Sequence, residues 1–355
     1  MATVKTHFGE LHVQDGIVPG DFTNIPIIDL SNLDSPDLAS RRSLAGDIYD
    51  ACTTVGFFYI KNHGIPPESV TAMHTAAHHF FALPHEAKME YYLGKSNRYH
   101  GYSPLSGEHS DKELFGLQTN LSESFDIGYE IAGDPSKSAS EDKLPADPFE
   151  LYGGNQWPGD DVLPGFHATY VGYFRECVAL SRKLLRVFAL ALDLDEMYFD
   201  EFVTFPGCMS RILHYPPQAV QGEERVGIEA HTDFECFTIL SQDSVPALQV
   251  LNSSNQWVTA TPIPDTLVVN VGDFMSFWTG GKFRSTVHRV TNLTGENRYS
   301  VPFFFGVNYD ATVEVLPSCV PQSGEGERRA VKAGQYVRDR LSKSYIGFGE
   351  GEPAN

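Results

Sequence analysis

The sequence predicts an α+β protein, mainly β, in which an antiparallel double-sheet barrel is flanked by α-helices. Residues 207–310 alternate short runs of β-branched and aromatic residues with turns rich in Gly, Pro, Asn and Asp. That alternation is typical of antiparallel barrels. Outside this region, apolar residues recur at helical spacing, most extensively after Pro164, which indicates amphipathic helices packed against the barrel.

The N-terminal part of the chain predicts two helices that flank a buried strand. A helix is expected over 36–54, because Pro36 follows a serine and precedes an aspartate, which is a helix start signal. The apolar run at 57–60 predicts the strand, and a helical repeat of apolar residues predicts the second helix over 67–82. Residues 1–24 are expected to be a loosely structured lead-in.

The middle of the chain is irregular in composition. Gly, Ser, Pro and acidic residues dominate 92–160, although 123–130 alternates like a strand. Within this region, 134–143 is expected to form a surface loop or a mobile lid, and 131–145 is expected to be mobile when the site is empty, because it has little apolar surface to offset its ordering entropy. A long helix is expected from Pro164 to about Leu194, and another over 328–342, before a frayed Gly/Glu-rich end.

A possible metal site is the most informative feature of the chain. It consists of His231, Asp233 and, much later, His288. Two imidazoles and one carboxylate are the ligand set of mononuclear non-haem Fe(II) oxygenases, which leave other metal positions open. If the segment around His231 is extended, Asp233 points to the same side of the strand and both can reach one metal.

An arginine and a serine follow the last of these histidines. Arg298 lies ten residues past His288 and shares an i, i+2 spacing with Ser300. A guanidinium is a fixed two-pronged donor that suits a carboxylate. Two antiparallel strands, 285–291 and 298–307, joined by a turn, would place Arg298 behind the metal.

Two other metal sites are less well supported. A structural zinc site would show four ligands, often cysteines, but no Cys-x-x-Cys pair exists among Cys52, Cys177, Cys208, Cys236 and Cys319. The second predicted helix carries a histidine cluster without a carboxylate or cysteine at ligand spacing. We interpret its members as part of an amphipathic helix: His74, His78 and His79.

Taken together, these motifs resemble the Fe(II)/2-oxoglutarate-dependent dioxygenases, in the branch typified by isopenicillin N synthase and plant flavonoid dioxygenases. The resemblance covers most of the chain. Besides the metal motif, the segments that carry it are 25–30, 56–66, 80–88, 101–102 and 211–217. It implies a double-stranded β-helix core of the jelly-roll or cupin-like kind, flanked by α-helices.

The resemblance also implies cofactors and site residues. The cofactors would be Fe(II), 2-oxoglutarate as co-substrate, and O2. His231, Asp233 and His288 would bind the iron. Arg298 and Ser300 would bind 2-oxoglutarate, with Tyr215 as a further donor. The chain departs from the family pattern at one position, since Leu213 stands where many members have an asparagine that can hydrogen-bond the co-substrate.

The primary substrate is expected to be a small or medium organic metabolite of natural-product or specialised metabolism. The reaction could be hydroxylation, desaturation, or ring formation or rearrangement. An aromatic-rich wall suits such a molecule. By resemblance and position, the expected wall residues are Tyr102, Phe125, Ile127, Phe237, Trp278, Phe303 and Phe305.

Four regions are expected along the chain. They are an N-terminal non-haem dioxygenase region with lid-like loops at 1–160, a long supporting helix region at 161–206, the Fe(II)/2-oxoglutarate dioxygenase β-core at 207–310, and a C-terminal helix and tail at 311–355.

Composition limits the partners. With 26 Lys and Arg against 46 Asp and Glu, the formal net charge is −20, which disfavours nucleic acid and anionic membranes. The chain has no apolar stretch of about 18 residues that would span a bilayer. It also lacks an apolar signal-peptide core, and its odd, scattered cysteines suggest a reducing compartment, so the cytoplasm is expected. The oligomeric state is left open.

Two alternatives compete with a 2-oxoglutarate enzyme. The first is an Fe(II) oxidase resembling isopenicillin N synthase, which has a similar Arg-x-Ser but does not use 2-oxoglutarate. Formation of succinate would separate the two. The second is a non-catalytic binding barrel, which the intact metal triad and its arginine argue against, because a scaffold has no need of a charged cluster in its interior.

Overall fold

The computed structural model describes residues 3–6, 9–12, 21–105, 120–138, 143–218, 226–320 and 330–344. The helices in these residues are α1 (Leu38–Thr54), α2 (Pro67–Phe81), α3 (His85–Met89), α4 (Phe166–Ala191), α5 (Asp273–Trp278) and α6 (Ala333–Ser344). The strands are β1 (Thr3–Thr6), β2 (Gly9–His12), β3 (Ile27–Asp29), β4 (Phe57–Lys61), β5 (Gly101–Ser103), β6 (Glu123–Gly128), β7 (Pro206–Tyr215), β8 (Ile228–His231), β9 (Phe237–Gln242), β10 (Leu248–Leu251), β11 (Trp257–Thr259), β12 (Leu267–Val271), β13 (His288–Val290), β14 (Arg298–Asn308), β15 (Thr312–Val313) and β16 (Val331–Lys332).

Two sheets form the predicted double-sheet core. The larger sheet has eight strands in the order β3-β4-β12-β9-β14-β7-β6-β5, and the smaller has four in the order β11-β10-β13-β8. Neighbouring strands are antiparallel except for the edge pair β3–β4. Side chains from both sheets line one cavity. The expected architecture, mainly β with flanking helices, is therefore confirmed.

The predicted hairpin of 285–291 and 298–307 is wrong. β13 pairs with β8 and β10 in the small sheet, whereas β14 pairs with β7 and β9 in the large sheet. The intervening residues cross from one sheet to the other. The Asn292 side chain stabilises this crossing, since its Nδ2 donates to the Glu296 carbonyl at 2.8 Å and to the Tyr215 carbonyl at 3.3 Å. A turn-like composition at 292–297 therefore marks a change of sheet.

The helices cover the outer face of the large sheet. α4 is the longest, with 26 residues, and its buried face contacts the sheet through aromatic pairs. The Phe174 ring lies 5.1 Å from that of Phe303 on β14, and the Phe188 ring lies 5.3 Å from that of Phe237 on β9. On β14, the residues on either side of Phe303 are Pro302 and Phe304, and both line the cavity on the inner face of the sheet. Side chains of each strand thus alternate between the helix layer and the cavity.

Most predicted elements outside the core agree with the structure. The helices expected over 36–54, 67–82 and 164–194 are α1, α2 and α4, and the strand expected at 57–60 is β4. Within the expected lead-in, the described strand β1 pairs antiparallel with β2, which the sequence did not predict. The C-terminal helix begins at Ala333 rather than 328, and the expected frayed end after Ser344 lies outside the described residues. None of the described helices is both long and apolar enough to cross a membrane. The cysteines are all buried free thiols.

The expected surface loop at 134–143 is firmly anchored at its start, which corrects the prediction there. Asp134 has a side chain with 0 % of its area exposed, and it accepts two hydrogen bonds from Arg182 on α4 at 2.5 and 2.7 Å. The Tyr129 hydroxyl donates to the same carboxylate at 2.6 Å. The acidic composition of this stretch therefore reflects in part a buried ion pair. Residues 139–142 lie outside the described residues.

Replacing this buried carboxylate should destabilise the protein. Asp134→Ala leaves the Arg182 guanidinium without its partner, so the free energy of unfolding should fall by about 3–5 kcal/mol. Asp34→Ala is the matched control, because Asp34 pairs with Lys183 at 2.6 Å but its side chain is 69 % exposed. Its effect should stay below about 1 kcal/mol. Urea unfolding of both variants measures the difference, and equal effects would contradict the anchoring role.

Candidate metal centre and co-substrate pocket

Two strands of the small sheet bring the histidines together. His231 ends β8 and lies directly opposite His288, which begins β13. Asp233 is not on the strand, as the i, i+2 argument assumed, but in the turn that follows it. The turn is fixed because the Asp233 carbonyl accepts a hydrogen bond from the backbone N–H of Asp273 at 2.8 Å.

The side chains of His231, Asp233 and His288 converge on one point, the metal point. Asp233 Oδ1 lies 3.6 Å from Nε2 of His231 and 3.6 Å from Nε2 of His288. One ligand atom from each residue lies within 4.8 Å of those of the other two, and no other cluster of three potential ligands occurs in the described residues. Two imidazole nitrogens and a carboxylate oxygen on one side of a metal leave other positions open, unlike a closed structural zinc site.

Backbone carbonyls set the tautomer of both histidines. Nδ1 of His231 lies 2.8 Å from the Glu229 carbonyl, and Nδ1 of His288 lies 3.2 Å from the Thr286 carbonyl. A carbonyl accepts only from an N–H, so the neutral ring carries its proton on Nδ1 and directs the Nε2 lone pair at the metal point. Burial, together with the charge of His231, lowers the pKa of His288 to about 4. His288 is therefore neutral near pH 7, as a ligand must be.

The large sheet orients the carboxylate. Asp233 Oδ2 accepts hydrogen bonds from Thr238 Oγ1 at 2.5 Å and from Asn270 Nδ2 at 2.7 Å, which leaves Oδ1 directed at the histidines. Burial raises the pKa of Asp233, but the electrostatic interactions with His288 and His231 and the hydrogen bond from Thr238 outweigh burial, so that the net shift is downward. The sequence analysis missed both supporting residues. The one available signal was Asn270, a polar residue within an otherwise Leu/Val strand.

The second part of the site is a buried arginine. Arg298 is only 1 % exposed and lies opposite Tyr215, whose ring centroid is 4.8 Å from its Cζ. Its Nη1 lies 3.4 Å from Ser300 Oγ, and its Nη2 lies 3.2 Å from Gln242 Oε1, a contact that the sequence did not indicate. Nε has no hydrogen-bond partner. No carboxylate in the described residues forms an ion pair with Arg298. Asp243 interacts with Arg298 electrostatically but does not form an ion pair with it. A buried cation without a directly paired carboxylate is costly, and such a group fits the carboxylate of a bound molecule.

The metal point and the arginine open onto the same cavity. Its volume is about 340 Å³, and His231, Asp233, His288, Arg298 and Ser300 all line it. Much of the remaining wall is apolar and consists of Phe57, Leu213, Ile228, Phe234, Leu240, Leu248, Val290, Pro302 and Phe304. Leu213, which replaces the family asparagine, thus contributes apolar surface to this cavity.

None of the seven expected wall residues lines the cavity. All of them belong to the hydrophobic core: Tyr102, Phe125, Ile127, Phe237, Trp278, Phe303 and Phe305. Phe125, Ile127, Phe303 and Phe305 lie in segments that were expected to be strands, but their side chains face the hydrophobic core instead of the cavity. Side chains on a strand alternate between faces, so choosing Phe303 and Phe305 instead of Pro302 and Phe304 selects the helix side. The Trp278 ring packs 4.6 Å from Phe199, away from the site.

Comparison with known proteins gives a consistent result. Residues 25–160 match the family model described as "non-haem dioxygenase in morphine synthesis N-terminal", and residues 206–307 match the "2OG-Fe(II) oxygenase superfamily". The chain is 37 % identical to the 2-oxoglutarate-Fe(II) type oxidoreductase ppzC of Metarhizium majus, over 91 % of this chain and 88 % of that protein. It is 34 % identical to the 2-oxoglutarate-dependent dioxygenase citB of Monascus ruber, over 90 % and 95 %.

A solved structure extends the comparison to three dimensions. The full-length Neurospora crassa T7H, crystallised in complex with alpha-KG and thymine, is similar with a TM-score of 0.76 and 30 % sequence identity. The match covers 90 % of this chain and 97 % of the other.

Metal affinity should depend on the hydrogen bonds that orient Asp233. Thr238→Val removes a donor to Oδ2 while keeping the side-chain shape, so divalent metal should bind roughly 10- to 100-fold more weakly. Thr259→Val, on the exposed edge strand β11, serves as the control and should leave the affinity unchanged. Anaerobic titration of the metal-free proteins with Fe(II) provides the measurement. Equal affinities for both variants would show that the orientation of Asp233 does not govern binding.

Proposed function

This chain belongs to the 2OG-Fe(II) oxygenase superfamily and is an Fe(II)- and 2-oxoglutarate-dependent dioxygenase, and on that premise we propose which of its residues perform the chemistry. His231, Asp233 and His288 bind the catalytic iron. Arg298 binds the far carboxylate of 2-oxoglutarate. The observation that carries this proposal is the single cavity lined both by the converging ligand group and by a buried arginine that has no carboxylate partner in the described residues.

The metal and its co-substrates supply the oxidising power: when bound, Fe(II), 2-oxoglutarate and O2 oxidise a substrate C–H bond as 2-oxoglutarate is converted to succinate and CO2. The side chains of the protein bind the metal and the co-substrate and orient them. The Nδ1–H···O=C bonds of His231 and His288 hold both rings with Nε2 toward the metal point. The hydrogen bonds to Asp233 Oδ2 keep Oδ1 there as well.

Co-substrate orientation rests on β14 and its neighbours. The Arg298 guanidinium offers a planar pair of donors, and the Ser300 hydroxyl, 3.4 Å away, can donate to the same carboxylate. The Tyr215 hydroxyl is a further donor, and burial raises its pKa, so it stays protonated. Gln242 accepts from Nη2 and holds the guanidinium in position. A diacid bound at both the metal and Arg298 would be held in one orientation, and only a diacid of matching length could reach both.

The apolar wall has two consequences. Leu213, Leu240 and Leu248 are among the apolar residues that line the cavity, and they disfavour water close to the metal. They also leave apolar surface for the primary substrate. We therefore infer a small or medium organic metabolite of natural-product or specialised metabolism, which shares about 340 Å³ with the co-substrate. Five buried free thiols fit a reducing compartment, which supports the cytoplasm as the place of action.

Arg298 variants should separate co-substrate binding from the rest of the reaction. Losing a buried charge-assisted contact should raise the KM for 2-oxoglutarate roughly 10- to 1000-fold in Arg298→Ala. Arg298→Lys should rescue only part of this loss, because an ammonium cannot form the two-pronged contact. Succinate formation across a 2-oxoglutarate titration measures the effect.

Arg284→Ala is the control, since Arg284 is an exposed arginine that donates to the Thr54 carbonyl and to Ser253 Oγ outside the cavity. Its KM for 2-oxoglutarate should equal that of the unchanged protein. An Arg298→Ala protein with an unchanged KM would mean that another group holds the far carboxylate.

A further inference from the structure

Two more arginines line the cavity besides Arg298. Arg211 projects from β7 in the large sheet, and Arg340 comes from the C-terminal helix α6. Their side chains are 21 % and 11 % exposed. The chain as a whole has a formal net charge of −20, yet among the described residues the cavity wall carries three arginines and two carboxylates, Glu229 and Asp233.

Arg211 is held from behind by a buried carboxylate. It pairs in register with Asp126 on β6, and its Nε donates to Asp126 Oδ1. The Asp126 side chain is fully buried and also accepts from Ser124 Oγ at 3.2 Å. Asp126 therefore fixes the Nε edge of the guanidinium, while the arginine itself reaches the cavity.

Arg340 has a similar support on a different element. Its Nη1 lies 3.5 Å from Asp273 Oδ2, and its Cζ lies 4.3 Å from the ring centroid of Phe234. Asp273 is itself fixed, because it accepts from Ser285 Oγ at 2.6 Å and from Thr232 Oγ1 at 3.1 Å. The guanidinium is thus stacked on one side and ion-paired at one edge.

Stability alone does not account for these pairs. Replacing a buried ion pair with packed apolar residues is often neutral or stabilising. Here the arginines of two such pairs line the cavity that also holds the metal ligands, while their aspartates lie behind the wall. Guanidinium groups held rigidly at the wall of a partly buried cavity are suited to bind a carboxylate through charge-assisted hydrogen bonds.

We propose that Arg211 and Arg340 bind a carboxylate of the primary substrate, so that the enzyme acts on an organic acid with an apolar body. This inference rests on the proposed function, in which Arg298 is occupied by 2-oxoglutarate. The substrate carboxylate lies beside Arg211 and Arg340. The apolar body of the substrate packs against residues such as Leu240 and Val290, which line the same cavity as the metal ligands. The two arginines fix the end of the molecule opposite the C–H bond that reacts.

The test uses matched neutral and anionic probes. ω-Phenylalkanoic acids of increasing chain length and their primary amides have the same shape and differ in charge. Calorimetric titration into the anaerobic protein loaded with Fe(II) and 2-oxoglutarate should show at least one acid that binds roughly 10-fold or more tightly than its amide, as expected for charge-assisted contacts. If acid and amide bind equally, or if no member of either series binds, the inference is overturned.

Variants assign the preference to the two arginines. Arg340→Gln is combined with Asp273→Asn, because the Asp273 side chain is only 1 % exposed and pairs with Arg340, and should reduce the acid-to-amide ratio severalfold while the amide binds as before. Arg211→Gln is combined with Asp126→Asn, so that no buried charge is left unpaired, and should have the same effect. Arg338→Gln, on the same helix but donating to the Phe149 carbonyl, is the control and should keep the full ratio. A ratio that survives in both arginine variants contradicts the assignment.

Titration with 2-oxoglutarate alone distinguishes this inference from the proposed function. If 2-oxoglutarate binds with equal affinity to the unchanged protein and to both arginine variants, the co-substrate assignment stands and only the acid preference decides the inference. If Arg211 or Arg340 variants lose 2-oxoglutarate instead, these arginines serve the co-substrate and the inference is wrong. If the unchanged protein does not bind 2-oxoglutarate at all, the proposed site fails and the inference fails with it.

Discussion

The site depends on one buried carboxylate oxygen, Asp233 Oδ1, that must face two imidazoles at once. The small sheet meets half of this constraint by pairing β8 with β13, which places His231 opposite His288. The large sheet meets the other half through Thr238 and Asn270, which hold the second oxygen. Neither sheet forms the site alone. The site therefore requires the two sheets to keep a fixed relative position. The helices and the hydrophobic core have to maintain that position.

Positively charged side chains are concentrated at the same cavity. The chain has a formal net charge of −20, whereas three arginines and two carboxylates are among the described residues that line the cavity. Arg298 forms no ion pair with a carboxylate in the described residues. Arg211 and Arg340, in contrast, each form an ion pair with a buried aspartate. This difference separates their proposed roles. In this proposal Arg298 binds the co-substrate, and Arg211 and Arg340 select the primary substrate.

The sequence was sufficient for the parts of the fold that local patterns determine. Helical spacing predicted α1, α2 and α4, and the order His-x-Asp, His, Arg-x-Ser identified the residues that converge on the cavity. It failed where the answer depends on long-range pairing. The segment 292–297 looks like a hairpin turn, but only the register of β13 and β14 shows that it changes sheets. On β9 and β14 the wall residues were missed by one position, because periodicity gives two faces without saying which is inside. Asp134 looked like part of an acidic loop because its partner, Arg182, is distant in sequence.

The most direct test of the account is a crystal structure of the protein prepared anaerobically with Fe(II) and 2-oxoglutarate. The account predicts one metal ion bound by Nε2 of His231, Nε2 of His288 and Oδ1 of Asp233. It also predicts the far carboxylate of 2-oxoglutarate within hydrogen-bonding distance of Arg298 and Ser300, on the cavity side of β14. A metal ion held by other residues, or a far carboxylate bound to Arg211 or Arg340 while Arg298 contacts only protein, would contradict it.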